Sequence, residues 1–199
     1  MNKRTTNLLL TMLIAVALTV LALTFGISFP LLGKVLTLVL VPWPAIYLAF
    51  RFGPATAVLA GALSGLIFGI INRPLDDWLT IVLYDISPLT LAGLAGLFAK
   101  NTHKTLNNRR YSSTFLNIWT GSLLSFLAYG LVKFWVVPMV VSGVNSADLT
   151  NWGFWASLLG TWAIGALVVS LLARTNPSFI IPKRSRYLSR RETSSLLND

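Results

Sequence analysis

Beside 16 basic side chains, six acids, one histidine and no cysteine are all that this chain of 199 residues offers for acid, base or ligand chemistry. Asp85 is the most informative of them, because it lies deep inside an otherwise apolar stretch, residues 75–98. A charge at such a depth in a bilayer costs roughly 2.5–3.5 kcal/mol, so it faces a cavity, an ion path or a partner. Asp76, Asp77 and Trp78 mark the mouth of the stretch, with Tyr84 and Asp85 two turns deeper. Lys133 and Trp135 sit in a second apolar stretch, and Asn151, Trp152 and Trp155 open a third. Aromatic rings beside a carboxylate suit a flat, cationic organic ligand through stacking, cation–π attraction and charge pairing. Trp78, Trp152 and Trp155 also fit an interfacial aromatic belt, whereas Asp85 lies too deep for one. A purely structural role for Asp85 would be an ion pair with Lys133. The expected binding residues are therefore Tyr84, Asp85, Lys133, Trp135, Asn151, Trp152 and Trp155.

Other chemistries are missing. No GxxxxGK[ST] phosphate loop, HExxH helix or GxSxG elbow occurs, so the chain does not hydrolyse ATP alone and an enzyme is not expected. Two of the six acids, Glu192 and Asp199, lie in the tail. His103 falls in a polar segment with Lys100 and Lys104 and reads as a solvated loop residue rather than a metal ligand. No metal and no cofactor is expected, and without cysteine there is neither disulfide nor thiolate chemistry.

The elements that must hold these residues are membrane helices. The chain is 55% hydrophobic and 11% charged with a mean hydropathy of +0.71, against about 25% charged residues in soluble domains. Six spans are read, at about 8–29, 31–50, 54–72, 78–99, 115–141 and 153–173. The expectation is an all-α bundle of six transmembrane helices with both termini cytoplasmic, comprising a membrane domain over 1–174 and a basic tail over 175–199. On that topology 13 of the 16 Lys and Arg fall inside and only Lys34 and Arg73 outside, with Lys133 within the fifth span. Positive-inside bias thus accounts for the net charge of +10 with no nucleic-acid role, and the tail also suits anionic lipid. Pro42 and Pro44 interrupt the second span and Pro138 the fifth. Small residues recur as stripes, which let helices approach closely in lipid. Ala57, Gly61, Gly65 and Gly69 predict packing inside the bundle, and Ala15, Thr19, Ala22 and Gly26 a docking face for another protein.

Residues 44–72, PAIYLAFRFGPATAVLAGALSGLIFGIIN, and 83–98, LYDISPLTLAGLAGLF, carry a family pattern. They resemble the substrate-binding (S) component of energy-coupling factor (ECF) vitamin transporters, closest to the thiamine-specific branch. Pro44, Arg51, Gly53, Gly61, Gly65 and the run Ala95–Phe98 fall in the branch's order, and Asp85 falls where its acidic ligand is expected. The acidic–aromatic order is inverted here, with Tyr84 preceding Asp85. The fifth helix has Lys133 and Trp135 where the branch typically has a histidine, and the sixth offers Ser157 and Trp162 in place of a tyrosine and an asparagine. A lysine in the pocket favours an anionic vitamin, whereas Asp85 alone favours a cation. The resemblance implies capture of a thiamine-like vitamin from outside, with a transmembrane coupling protein and two ATPase subunits supplying the energy. A non-transporting envelope scaffold and a solitary small-solute carrier are the competing readings.

Overall fold

The computed structural model describes residues 3–31, 34–141, 144, 146–148, 150–182 and 187–188. The tail bases Lys183, Arg184, Arg186, Arg190 and Arg191 and the acids Glu192 and Asp199 lie outside the described residues. The fold is mostly helical. In chain order it has α1 (Lys3–Thr24), β1 (Ile27–Leu31), β2 (Lys34–Leu38), α2 (Trp43–Phe52) and α3 (Pro54–Asn72). Two long helices follow, α4 (Trp78–Asn107) and α5 (Tyr111–Val140), and then α6 (Trp152–Thr175). Among the described residues, five helices are long and apolar enough to cross a membrane: α1, α3, α4, α5 and α6.

The second expected span is the one the structure corrects. Residues 31–50 do not form a continuous helix, and the first span stops at Thr24 rather than at residue 29. Instead β1 and β2 pair as an antiparallel hairpin, with Ile27 opposite Leu38 and Leu31 opposite Lys34. The ten residues of α2 rise only about 15 Å, half the hydrocarbon thickness of about 30 Å, so α2 is too short to cross by itself. Within a membrane a strand is tolerated only if its backbone is satisfied by protein. Here β1 serves one edge and α6 the other. The Thr37 N–H donates to Ser157 Oγ and the Val39 N–H to Thr161 Oγ1, each at 3.0 Å. Both hydroxyls in turn donate to carbonyls one helical turn back, at Gly153 and Ser157. Proline opens the helices that follow, standing in the first turns of α2 and α3, where its missing N–H costs nothing. Gly53 joins them at φ 94°, a conformation that glycine adopts without penalty.

The glycine stripe of α3 packs inward, as its spacing predicts. A Cβ on Gly61 or Gly65 would land on the α4 backbone at Leu89 or Asp85, and one on Gly69 on the Ile81 side chain. The stripe of α1 behaves otherwise than expected. Ala15 and Thr19 are 4% and 1% exposed, packed inside the chain's own bundle, and Ala22 packs on the Val41–Leu89–Tyr129 cluster. Ala22 is only partly buried and Gly26 at the helix end is open, so the inner half of the stripe packs within the chain and its outer end stays accessible. The exposed side of α1 carries Leu10, Leu13, Ile14, Leu18 and Leu21 instead.

His103 is the other correction. The polar segment after residue 99 continues as helix to Asn107, and the imidazole is fully buried with Nε2 2.8 Å from the Phe50 carbonyl. An acceptor at that distance makes Nε2 the donor. The chain then folds back over this end of the bundle after α6. Ile180, Ile181 and Leu188 are buried, and Arg51 donates to the Ser178 and Phe179 carbonyls.

Candidate substrate-binding site

Two of the long helices are not regular where the expected site residues lie. α4 widens to π geometry over Ile81–Ile86, and α5 does the same over Val132–Val136. A proline follows each widening by two residues. Pro88 has no N–H to give to Leu83 or Tyr84, and Pro138 has none for Phe134. Each freed carbonyl is met from elsewhere. Ser87 Oγ donates to the Leu83 carbonyl at 3.1 Å, and Lys133 Nζ to the Tyr84 carbonyl at 3.3 Å. The Ala147 N–H, from the segment between α5 and α6, donates to the Phe134 carbonyl at 3.1 Å. Single-turn π widenings occur frequently at functional sites, because they re-aim side chains and leave backbone groups available.

Asp85 sits in the first of these segments and is 2% exposed. Its Oδ2 lies 2.6 Å from Nε of Arg73, the residue that ends α3. That ion pair replaces the expected one with Lys133. Oδ1 of the same carboxylate is buried without a hydrogen-bond partner. Buried acceptors are almost always satisfied, and one that is not asks for a reason. Tyr84 is half-buried between two cations: the Arg73 guanidinium carbon is 5.2 Å from its ring centroid and Lys133 Nζ 4.0 Å. Lys133 also interacts electrostatically with Asp85 and Arg73. Arg73, Tyr84, Asp85 and Lys133 therefore form one charged group, held by the end of α3 and the two π segments.

A second, aromatic group adjoins it along α5. Trp135 stacks on Trp155 with centroids 5.7 Å apart at 24°, and Phe154 meets Phe134, Trp135 and Trp155 edge-on at 5.1–5.5 Å. The Trp135 indole N–H donates to the Ala147 carbonyl at 3.1 Å, so the α5–α6 segment is pinned in both directions at Ala147. Nearby, Asp148 accepts the Thr150 N–H and hydroxyl, each at 2.8 Å. These bonds hold its carboxyl below the usual carboxylate range, with Lys34 of the hairpin adding a smaller pull the same way.

The family follows from comparison with known proteins. The pattern of the family described as Thiamine transporter protein (Thia_YuaJ) matches residues 8–145. The chain belongs to this thiamine transporter family. A solved structure of ThiT from Listeria monocytogenes is similar in fold, with a TM-score of 0.69 at 20% identity over 91% of this chain and all of that one. Among curated proteins nothing matches the sequence. The family is one of transporters, not enzymes, and this member is a multi-pass membrane protein.

Within this thiamine transporter fold the expected residues divide into three sets. Tyr84, Asp85 and Lys133 come together, and Trp135 and Trp155 form the stack beside them. Asn151 caps α6, its side-chain oxygen accepting the Gly153 N–H at 3.0 Å, and Trp152 is 43% exposed on the bundle surface. Ser157 and Trp162 serve structure, the first holding β2 and the second donating to Ser122 Oγ at 3.0 Å. Two residues escape a reading of the sequence. Arg73 looks like a loop charge yet partners Asp85, and Pro88 shapes the segment that carries Asp85. The signal for Pro88 was its place three residues after a buried acid.

Proposed function

We propose that the chain is the thiamine-binding S component of an ATP-driven ECF importer, working with a transmembrane coupling protein and two separate ATPase subunits. The observation that carries this reading is the buried Asp85 carboxylate with one oxygen unpartnered, set in a π segment of a thiamine transporter family member. A cationic thiazolium ring finds its counter-charge in Asp85. Tyr84 and the Trp135–Trp155 stack offer the faces on which flat rings lie, and Asn151 and Trp152 stand at the mouth. Ligand entry exchanges Arg73 for the thiazolium at the carboxylate, so that the buried acid keeps a counter-charge while Arg73, whose side chain is 26% exposed, turns to solvent or to the ligand. The absence of a phosphate loop agrees with energy supplied by other chains.

The test is a tryptophan-fluorescence titration of the purified chain with thiamine. Saturable quenching, reported by Trp135 and Trp155, is expected. No response in folded protein would leave the scaffold reading in its place, and uptake by vesicles holding this chain alone would favour the solitary carrier.

A further inference from the structure

We propose that the site selects a thiamine-class ligand carrying an anionic group beside its cation, of which the phosphate monoester is the simplest, and that Lys133 recognises the anion. The inference rests on the reading just given and specifies its substrate. It starts from the charges around Tyr84. Arg73 and Lys133 are cations and Asp85 is the one carboxylate with them; the Arg73–Asp85 contact is the one ion pair found among the described residues. Among the described residues Lys133 makes direct contact with the Tyr84 carbonyl and ring face and forms no ion pair of its own, Asp85 acting on it from beyond contact distance. A half-buried ammonium at membrane depth is expensive until an anion joins it.

The group thus has one positive charge in excess. Thiamine, itself a monocation, doubles that excess. A monoester adds a phosphate of about −1.5 to −2 charges near pH 7, and the total then falls close to zero. Donors stand ready for it as well. Arg73 uses Nε alone on Asp85, and its terminal amino groups make no hydrogen bond among the described residues. A guanidinium with unused donors and a neighbouring ammonium are the groups that bind phosphate oxygens best. Asp85 takes the thiazolium, and the cations it no longer neutralises take the phosphate.

The experiment titrates the full-length protein with thiamine and with thiamine monophosphate at pH 7.5, by tryptophan fluorescence. The monophosphate should bind at least tenfold tighter. Lys133→Met should bring the ratio to one or below, and Lys133→Arg, which keeps the charge, should preserve the preference. Equal or tighter binding of thiamine by the unaltered protein overturns this inference and leaves the function above intact. An unchanged preference in Lys133→Met removes Lys133 from anion recognition. Binding of neither ligand by folded protein overturns the thiamine reading and this inference with it.

Discussion

At the scale of single residues, the balance around Asp85 decides how the site behaves. Its carboxylate is fully buried, yet only one oxygen is paired. Breaking a buried ion pair by removing one partner costs about 3–5 kcal/mol when the surviving charge stays buried. The two partners are not equivalent in this respect, because the Arg73 side chain keeps 26% of its surface exposed and can be solvated alone. Asp85→Asn is therefore the gentler probe: it removes the charge and keeps the shape. It should weaken a thiazolium ligand by more than tenfold, about 1.4 kcal/mol or more, while thermal unfolding moves little. Affinity unchanged in Asp85→Asn would take this residue out of the site. Arg73→Met strands the buried acid instead, and a marked loss of thermal stability is expected in the absence of ligand.

At the scale of elements, the site depends on how α4 is bent and on what presses against it. Gly65 faces the Asp85 backbone so closely that a Cβ would overlap the carbonyl. Gly65→Ala should push the π segment away from α3, at about 1–3 kcal/mol of overpacking, and lower ligand affinity with it. Gly26→Ala is the control, since nothing lies within 4 Å of a Cβ there. Pro88 acts from the other side by withholding an N–H. Pro88→Ala restores that donor and lets α4 close as a regular helix, so thermal stability should rise while affinity falls. Parallel loss of both would mean that Pro88 serves packing alone. The stripe of α1 shows how far spacing carries. Ala15, Thr19 and Ala22 have the periodicity of a close-packing face, and they do pack closely, but against their own bundle. Spacing specifies that a face packs; it does not name the partner.

At the scale of the whole molecule, the two ends of the bundle are built differently. One end carries the hairpin, the charged group and the aromatic stack. The other is closed by the chain's own return, with Ile180 and Ile181 buried beside α2 and Arg51 holding the carbonyls of residues 178 and 179. Ile180→Ala should lower stability by about 2–5 kcal/mol without altering ligand affinity, because it lies at the end opposite Asp85. A change in affinity from that substitution would show that the two ends are coupled. Much of this was determined by the sequence alone. Apolar runs of span length, the inward glycine stripe of α3 and an acid inside a span depend on composition and periodicity, which act locally. Residues 44–98 carried the family for the same reason. What only the tertiary structure decided is whatever depends on partners far along the chain. Residues 31–50 are apolar enough for a span, but the hydroxyls of Ser157 and Thr161, some 120 positions later, make a strand affordable there. His103 sits among polar neighbours, yet the Phe50 carbonyl draws it inside. Asp85 chose Arg73 over Lys133 because the end of α3 delivers a guanidinium to its oxygen, while Pro88 leaves the Tyr84 carbonyl for the lysine. Hydropathy measures the solvent a segment prefers, and it carries no information about which distant donor will meet a given acceptor.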